Sequence, residues 1–479
     1  MALAFLFGFQ SAGLVRMLSG DEMLPGWAGR LAAGLSYDLH ASAGDFKERD
    51  LNLFYDVLSY IGNAYLHHDE VNSADVIRGA ASGAVDALGD RYSRFVPPSD
   101  QQVLTEEIEG EYAGVGIAII DRPGVLPPWA LECEVEAGAD PEAPYFFREL
   151  RGVTVVQVFE SGPAYGAGMH ADDVVACVDG QMLRGKTADD AVALIKGPPD
   201  TPVKITVWRS STQEELAFDI ARKVVEVPTV GAKDMLEGDI GYIRLDSFNN
   251  LTPRDVALAI NDLRDQGMKG LIFDLRNNTG GPLEAAVLVA DLFISDGDMV
   301  YYEDYRGDRQ AFPSNDGGLA LNLPLVVLVN GNTASASEIV AGAVRDTHTA
   351  LLVGETTFGK GVVQNVYTLR DGSGLVLTTG RYLTPNEHEI TEEGIEPDVP
   401  SDLDPERLRD LDPQINAFLE RLDEINEQYR TLRGQMLDYL REHDFQRETA
   451  IGVISQWIAS GTMPQAGESE SADATASSE

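Results

Sequence analysis

The stretch that most constrains this chain is Leu323 to Gln364, LPLVVLVNGNTASASEIVAGAVRDTHTALLVGETTFGKGVVQ. Leu323 to Asn330 is an apolar run rich in Val and Leu, with Pro324 near its start and Asn330, Gly331 and Asn332 closing it, which predicts a buried strand. A helix is expected to start near Ser335. Ser335-Ala336-Ser337-Glu338 has the form of a capping box, and Ile339, Val340, Ala343 and Val344 follow at helical spacing. Leu351 to Glu355 reads as another strand, Phe358-Gly359-Lys360-Gly361 as a tight connection, and Val362 to Leu369 as a further strand.

That order of elements offers chemistry as well as packing. A serine at a strand-to-helix turn has its hydroxyl lifted out of the core, and the first N–H groups of the helix lack internal partners, so they can face a developing oxyanion. The Ala336 N–H is the candidate donor. The plain alternative is a capped helix and nothing more. Lys360 tips the balance: the chain has eight Lys against 28 Arg, and this one stands between two glycines and two apolar strands. Burying an ammonium is costly, so desolvation lowers its pKa and leaves an amine able to take a proton from Ser335. At period two Lys360, Val362 and Gln364 share a face, so Gln364 could accept from that amine and orient it.

TASASEIVAGAVRD, GETTFGKGVVQ and, upstream, DLRNNTGG resemble the carboxy-terminal processing peptidases, also called tail-specific proteases. The resemblance implies a Ser–Lys dyad assisted by Gln, and the family's spacing of 25 positions from Ser335 to Lys360 and four more to Gln364 holds in this sequence. It also implies that the Gly281 N–H joins that of Ala336 in the oxyanion hole, since adjacent glycines let the backbone approach a reacting carbonyl. Gly280 is the neighbouring candidate, and the plain role of both is a turn before a helix over Leu283 to Phe293. No metal or organic cofactor is implied.

The remaining chain is read in order. The uncharged apolar run Ala2 to Val15, within a segment spanning residues 1–30, is too short to span a bilayer and is read as the remnant of a signal anchor, with a buried helix as the alternative. Residues 31–105 form a helical N-terminal region carrying LNLFYDVLSYIGNAYL and ending in Asp90-Arg91-Tyr92-Ser93; packing and dimer contact are its expected roles, not catalysis. Residues 106–225 resemble a PDZ domain. Tyr112-Ala113-Gly114-Val115-Gly116-Ile117 would capture a terminal carboxylate on backbone N–H groups, with the peptide adding beside a sheet edge. Ala188 to Ile195 would line the groove, with Thr187 as N-cap. Two departures stand out: Asp172-Asp173 where the family has Gly-Asp, and an insertion at about residues 121–150 with PGVLPPW and an acidic stretch, expected to be a surface loop or flap.

Residues 226–402 are the peptidase core, with a strand at Ile240, a helix over Pro253 to Gln266 and a buried strand over Gly270 to Leu275. His388 and His348 are set aside as bases, because nothing ties the first to Ser335 and the second follows the far end of the helix. Residues 403–461 form a helical C-terminal region with an apolar stripe at Ile415, Phe418, Leu419, Leu422 and Ile425, and residues 462–479 a disordered tail.

Composition bounds the partners. The formal charge of −42 excludes a nucleic-acid surface, which needs clustered Lys and Arg. The acidity is spread along the chain, consistent with an ordinary acidic protein or with a high-salt habitat. No Cys-x-x-Cys or His-Glu-x-x-His pattern suggests zinc. Cys177 reads as a core residue, and a disulfide to Cys133 is the less favoured alternative.

The expected architecture is therefore an α+β multidomain protein: a helical N-terminal region, a PDZ domain, a mixed α/β peptidase core of the ClpP/crotonase-like type, and a helical C-terminal extension. The expected activity is that of a serine endopeptidase cutting near exposed C-terminal tails of proteins, in the periplasm or cell envelope. A homodimer and membrane association through the N-terminal segment are further expectations. The alternatives are a catalytically inactive, tail-binding scaffold and, with no ligand cluster to support it, a metal hydrolase.

Overall fold

The structure is a computed structural model that describes residues 48–123, 151–183, 186–315, 318–321, 323–401, 445–460 and 463. The chain divides into two compact units, Glu109–Pro228 and one built from the sequence before and after it. The N-terminal apolar run, most of the 121–150 insertion, the stripe at Ile415 to Ile425 and the C-terminal tail lie outside the described residues.

In the larger unit the helices are α1 (Glu48–Ala64), α2 (Ser73–Asp86), α3 (Pro98–Glu109), α4 (Thr252–Asp265), α5 (Leu283–Asp291), α6 (Ala336–Asp346) and α7 (Phe445–Ser460). The strands are β1 (Arg94–Val96), β2 (Val230–Leu236), β3 (Ile240–Leu245), β4 (Gly270–Asp274), β5 (Asp298–Asp304), β6 (Arg309–Pro313), β7 (Leu325–Val329), β8 (Leu351–Gly354), β9 (Val362–Thr368), β10 (Gly374–Leu383) and β11 (Val399–Pro400). A six-stranded sheet runs β2-β3-β4-β7-β8-β11, parallel except for the β2–β3 pair.

The reason for its continuous apolar strands is that both faces are covered. Leu325, Val327 and Val329 point into one core with Val256, Val287 and Val340 of α4, α5 and α6, while Val326 and Leu328 point into another with Val453 and Ile454 of α7. A second sheet runs β1-β10-β5-β6, with β9 also on β10. Among the described residues no helix is long and apolar enough to cross a membrane. Helix α1 leaves Leu53, Tyr55 and Tyr60 exposed.

The smaller unit is a sheet ordered Ile117–Pro123, Arg151–Val158, Asp173–Val178, Pro202–Arg209 and Glu214–Ala221, with Glu111–Gly114 paired separately to Lys223–Glu226. The loop at Tyr112 to Ile117 is seated by close backbone approach: Gly116, at φ 84°, would place a Cβ 2.6 Å from the Gly162 Cα, and the Val115 carbonyl accepts from the Ala164 N–H at 2.9 Å. Thr187 caps the helix Ala188–Ile195, its hydroxyl accepting from the Asp190 N–H at 3.2 Å. The turn without its usual glycine is made by Asp172 at φ 67°, and the buried Asp173 is paired with Arg209 at 2.7 Å. Cys177 is buried with Ala176 in the core, as expected, and is also disulfide-bonded; Cys133 lies outside the described residues.

Candidate active site

Two loops at the carboxyl ends of neighbouring parallel strands build the site, the end at which open parallel sheets bind ligands. β4 leads into Leu275 to Gly281 and β7 into Asn330 to Ser335. Polar side chains stitch the loops together. The Thr333 hydroxyl donates to the Leu275 carbonyl at 2.9 Å, and the Asn278 carbonyl accepts from the Ala334 N–H and the Ser337 hydroxyl, each at 3.0 Å. The Asn278 side chain donates to the Leu245 carbonyl at 2.8 Å and accepts from the Gly280 N–H at 2.9 Å.

Gly280 packs directly on the serine turn. At φ 95° it would place a Cβ 2.7 Å from the Ala334 oxygen and the Ala336 nitrogen and 2.8 Å from the Ser335 Cβ. A Cβ on Gly281 would run into the Phe248 carbonyl. Among the described residues neither the Gly281 N–H nor the Ala336 N–H donates to an acceptor.

Ser335 sits at φ 57°, ψ −118°, a conformation that costs a non-glycine residue on the order of 1–3 kcal/mol. Its neighbours impose it: the Ser335 N–H donates to Glu338 Oε2 at 2.8 Å, and the Ser335 carbonyl accepts from the Glu338 N–H at 2.8 Å and the Ile339 N–H at 3.1 Å. The Ser335 hydroxyl pairs with the phenol of Tyr382 at 3.1 Å.

Glu338 does more than the helix start requires. Fully buried, its carboxylate also accepts from the Thr357 hydroxyl at 2.6 Å, the Gly359 N–H at 2.7 Å and the Lys360 N–H at 2.9 Å. One side chain thus ties the backbone of Ser335 to that of Lys360 through charge-assisted bonds.

The Lys360 side chain is half-buried, and among the described residues its amine makes no hydrogen bond or ion pair, to Ser335 or to any other group. It lies 5.1 Å from the centroid of the Tyr92 ring. Burial pushes its pKa below the usual lysine value, repulsion from Arg94 pushes it further, and Glu338 opposes both. The Gln364 amide donates to the Val362 carbonyl at 3.3 Å rather than meeting the Lys360 amine, while Lys360, Val362 and Gln364 alternate as half-buried positions with the buried Gly361, Val363 and Asn365.

Local sequence does not mark Tyr92 and Arg94 as site residues, because their segment reads as a packing element. β1 pairs antiparallel with β10, Arg94 opposite Val376, and the Ser93 hydroxyl accepts from the Thr378 N–H at 3.0 Å while donating to Asp90 at 2.6 Å. This pairing carries Tyr92 to the amine. The sequence signal was the Asp90-Arg91-Tyr92-Ser93 motif, without local chemistry to interpret it. Glu284, three residues beyond Gly281, has its carboxyl pushed up to about 7 by burial. His388 lies on an exposed turn beside the Glu387–Arg309 ion pair. Among the described residues no group of three or more His, Cys, Asp or Glu is placed to hold a metal ion.

Comparison with known proteins matches residues 239–401 to peptidase family S41 and residues 154–209 to the PDZ domain. A carboxyl-terminal-processing protease of Synechocystis is 34% identical over 314 residues, covering 65% of this chain and 67% of the relative. A carboxy-terminal-processing protease of Bartonella bacilliformis is 31% identical over 392 residues, covering 75% and 83%, and one of Bacillus subtilis is 30% identical over 363 residues, covering 76% and 71%. A solved structure described as the photosystem II D1 C-terminal processing protease is 31% identical, with a TM-score of 0.40 over 73% of this chain and 86% of that one.

Proposed function

The chain belongs to peptidase family S41, the carboxyl-terminal-processing proteases, as a serine-type peptidase with a PDZ domain, and we propose that Ser335 is its nucleophile and Lys360 its general base. The observation that carries this reading is the pair of unused N–H groups, Gly281 and Ala336, beside a serine held at positive φ. They are the donors an oxyanion needs, fixed before the reaction by the close packing of Gly280 on the serine turn.

In the proposed reaction neutral Lys360 takes the Ser335 hydroxyl proton as Oγ attacks the peptide carbonyl, and the tetrahedral oxyanion is received by Gly281 and Ala336. The ammonium then protonates the departing amine, and water resolves the acyl-enzyme by the same steps. The lowered pKa of Lys360 favours the neutral amine this requires. The amine has to leave the Tyr92 face to reach Oγ, and Gln364 has to turn from Val362 to assist it.

The substrate proposed is the exposed C-terminal tail of a protein, captured at Tyr112, Ala113, Gly114, Val115, Gly116 and Ile117. We place the domains at the boundaries expected from sequence and the protein outside the cytoplasm, because the disulfide at Cys177 suits an oxidising compartment. Mass spectrometry of unstructured C-terminal tail peptides incubated with wild type and with Ser335→Ala tests the reading. Wild type yields defined tail fragments and the variant none; equal fragments from both would remove Ser335 as nucleophile.

A further inference from the structure

The reading of Ser335 and Lys360 as nucleophile and base leaves Tyr382 without a role, although its phenol is the group in contact with the Ser335 hydroxyl. Tyr382 lies on β10 and is 3% exposed. Its main-chain N–H donates to the Gly361 carbonyl at 2.9 Å, next to Lys360. One residue therefore reaches both halves of the site, by its backbone to the lysine loop and by its side chain to the serine oxygen. Among the described residues the phenol oxygen has no other hydrogen-bond partner.

A serine hydroxyl has one proton and two acceptor lone pairs. A hydrogen bond from Ser335 to Tyr382 would aim that proton away from a base. One from Tyr382 to Ser335 leaves the proton free for an amine and places a donor where negative charge gathers as the proton leaves. Burial raises the Tyr382 pKa well above the ordinary phenol value, so it remains protonated at any working pH.

We propose that Tyr382 is a catalytic residue: its phenol donates to Ser335 Oγ, directs the serine proton toward Lys360 and stabilises the forming alkoxide. This inference rests on the Ser335–Lys360 reading above. During acylation the Ser335 O–H bond breaks, its proton passes to Lys360 Nζ, and an Oγ electron pair forms the bond to the substrate carbonyl carbon. The carbonyl π pair moves to the oxyanion. Collapse of the intermediate breaks the C–N bond, and the leaving amine takes the proton from Lys360. Tyr382 keeps its own proton throughout. Its hydrogen bond weakens when Oγ becomes an ester oxygen and re-forms when Oγ leaves in deacylation.

Tyr382→Phe tests this by removing the O–H while keeping the ring. Tail-peptide cleavage should show kcat lowered about 10²-fold with KM unchanged, the size of loss typical of one transition-state donor. Tyr302→Phe, which removes a phenol from the same sheet that among the described residues donates only to the Thr379 carbonyl at 3.5 Å, should leave kcat unchanged. Thermal midpoints of both variants should stay near wild type; a large fall for Tyr382→Phe, with kcat per folded molecule intact, would mark a structural role and overturn the proposal. So would an unchanged or raised kcat in Tyr382→Phe. Ser335→Ala and Lys360→Ala run in parallel separate the two levels. If both are inactive while Tyr382→Phe is fully active, only the tyrosine inference fails; if Ser335→Ala remains active, the dyad itself fails.

Discussion

The turn that carries Ser335 and the loop that carries Lys360 share one anchor, the Glu338 carboxylate, and differ beyond it. Around Ser335 the backbone is over-determined, by Gly280 packed against it, by Glu338, and by the bonds from Ala334 and Ser337 to Asn278. The Lys360 backbone is fixed, whereas its amine rests on the face of Tyr92 without a hydrogen bond among the described residues. A group held by many bonds keeps its geometry when one is removed, at a cost in stability. A group held by burial and neighbouring charge instead has its proton affinity set by those neighbours, and small changes there move it.

The difference predicts where substitutions act. Lys360→Ala is expected to lower kcat/KM by at least about 10³-fold, and Lys360→Arg to be equally inactive because a guanidinium does not give up its proton. Peptide cleavage rates at substrate well below KM check this, and an active Arg variant would contradict a general-base role. Glu338→Gln replaces an acceptor oxygen with a donor amide that faces backbone N–H groups, so it should destabilise by about 2–4 kcal/mol in denaturant unfolding. It should also remove activity, since it uncouples both halves of the site.

Gly280→Ala strikes the serine turn alone. The added methyl meets backbone atoms of Ala334 and Ala336 and the Ser335 Cβ in a conformation that disfavours L side chains, for an expected loss of about 1–3 kcal/mol. An unperturbed melting curve for this variant would show that the turn is less constrained than its packing implies.

Arg94→Ala is the gentlest change. Cleavage needs the neutral amine, so activity rises with pH through the Lys360 pKa. Arg94 lowers that pKa, and its removal raises it. The ascending limb of the pH–rate profile should therefore move to higher pH, with activity lost on the acid side and retained at the alkaline plateau. A limb that stays in place would mean that Arg94 does not reach the amine electrostatically.

Local sequence carries the Ser335 side of this comparison well and the Lys360 side poorly. The apolar strand, the helix after Ser335 and the paired glycines are each encoded within a few residues, by pattern and by backbone requirement. Tyr92 and Arg94 reach the site through the pairing of β1 with β10, and Tyr382 through the pairing of β10 with β5 and its bond to Gly361, long-range contacts that no local periodicity records. Alternation along β9 predicts a shared face for Lys360, Val362 and Gln364, and the burial pattern keeps that alternation, but the Gln364 amide turns back to the Val362 carbonyl, a local bond that periodicity does not record. The disulfide at Cys177 was the less favoured alternative because an apolar run explains a buried cysteine equally well.

The most direct measurement of the central claim is the site of acylation. Wild type, Lys360→Ala and Ser335→Ala would each be mixed with a serine-directed acylating probe near neutral pH, digested and mapped by mass spectrometry. The account predicts a single adduct on Ser335 in wild type, strongly reduced in Lys360→Ala and missing from Ser335→Ala. An adduct on another residue, or equal labelling of Ser335 with and without Lys360, would contradict it.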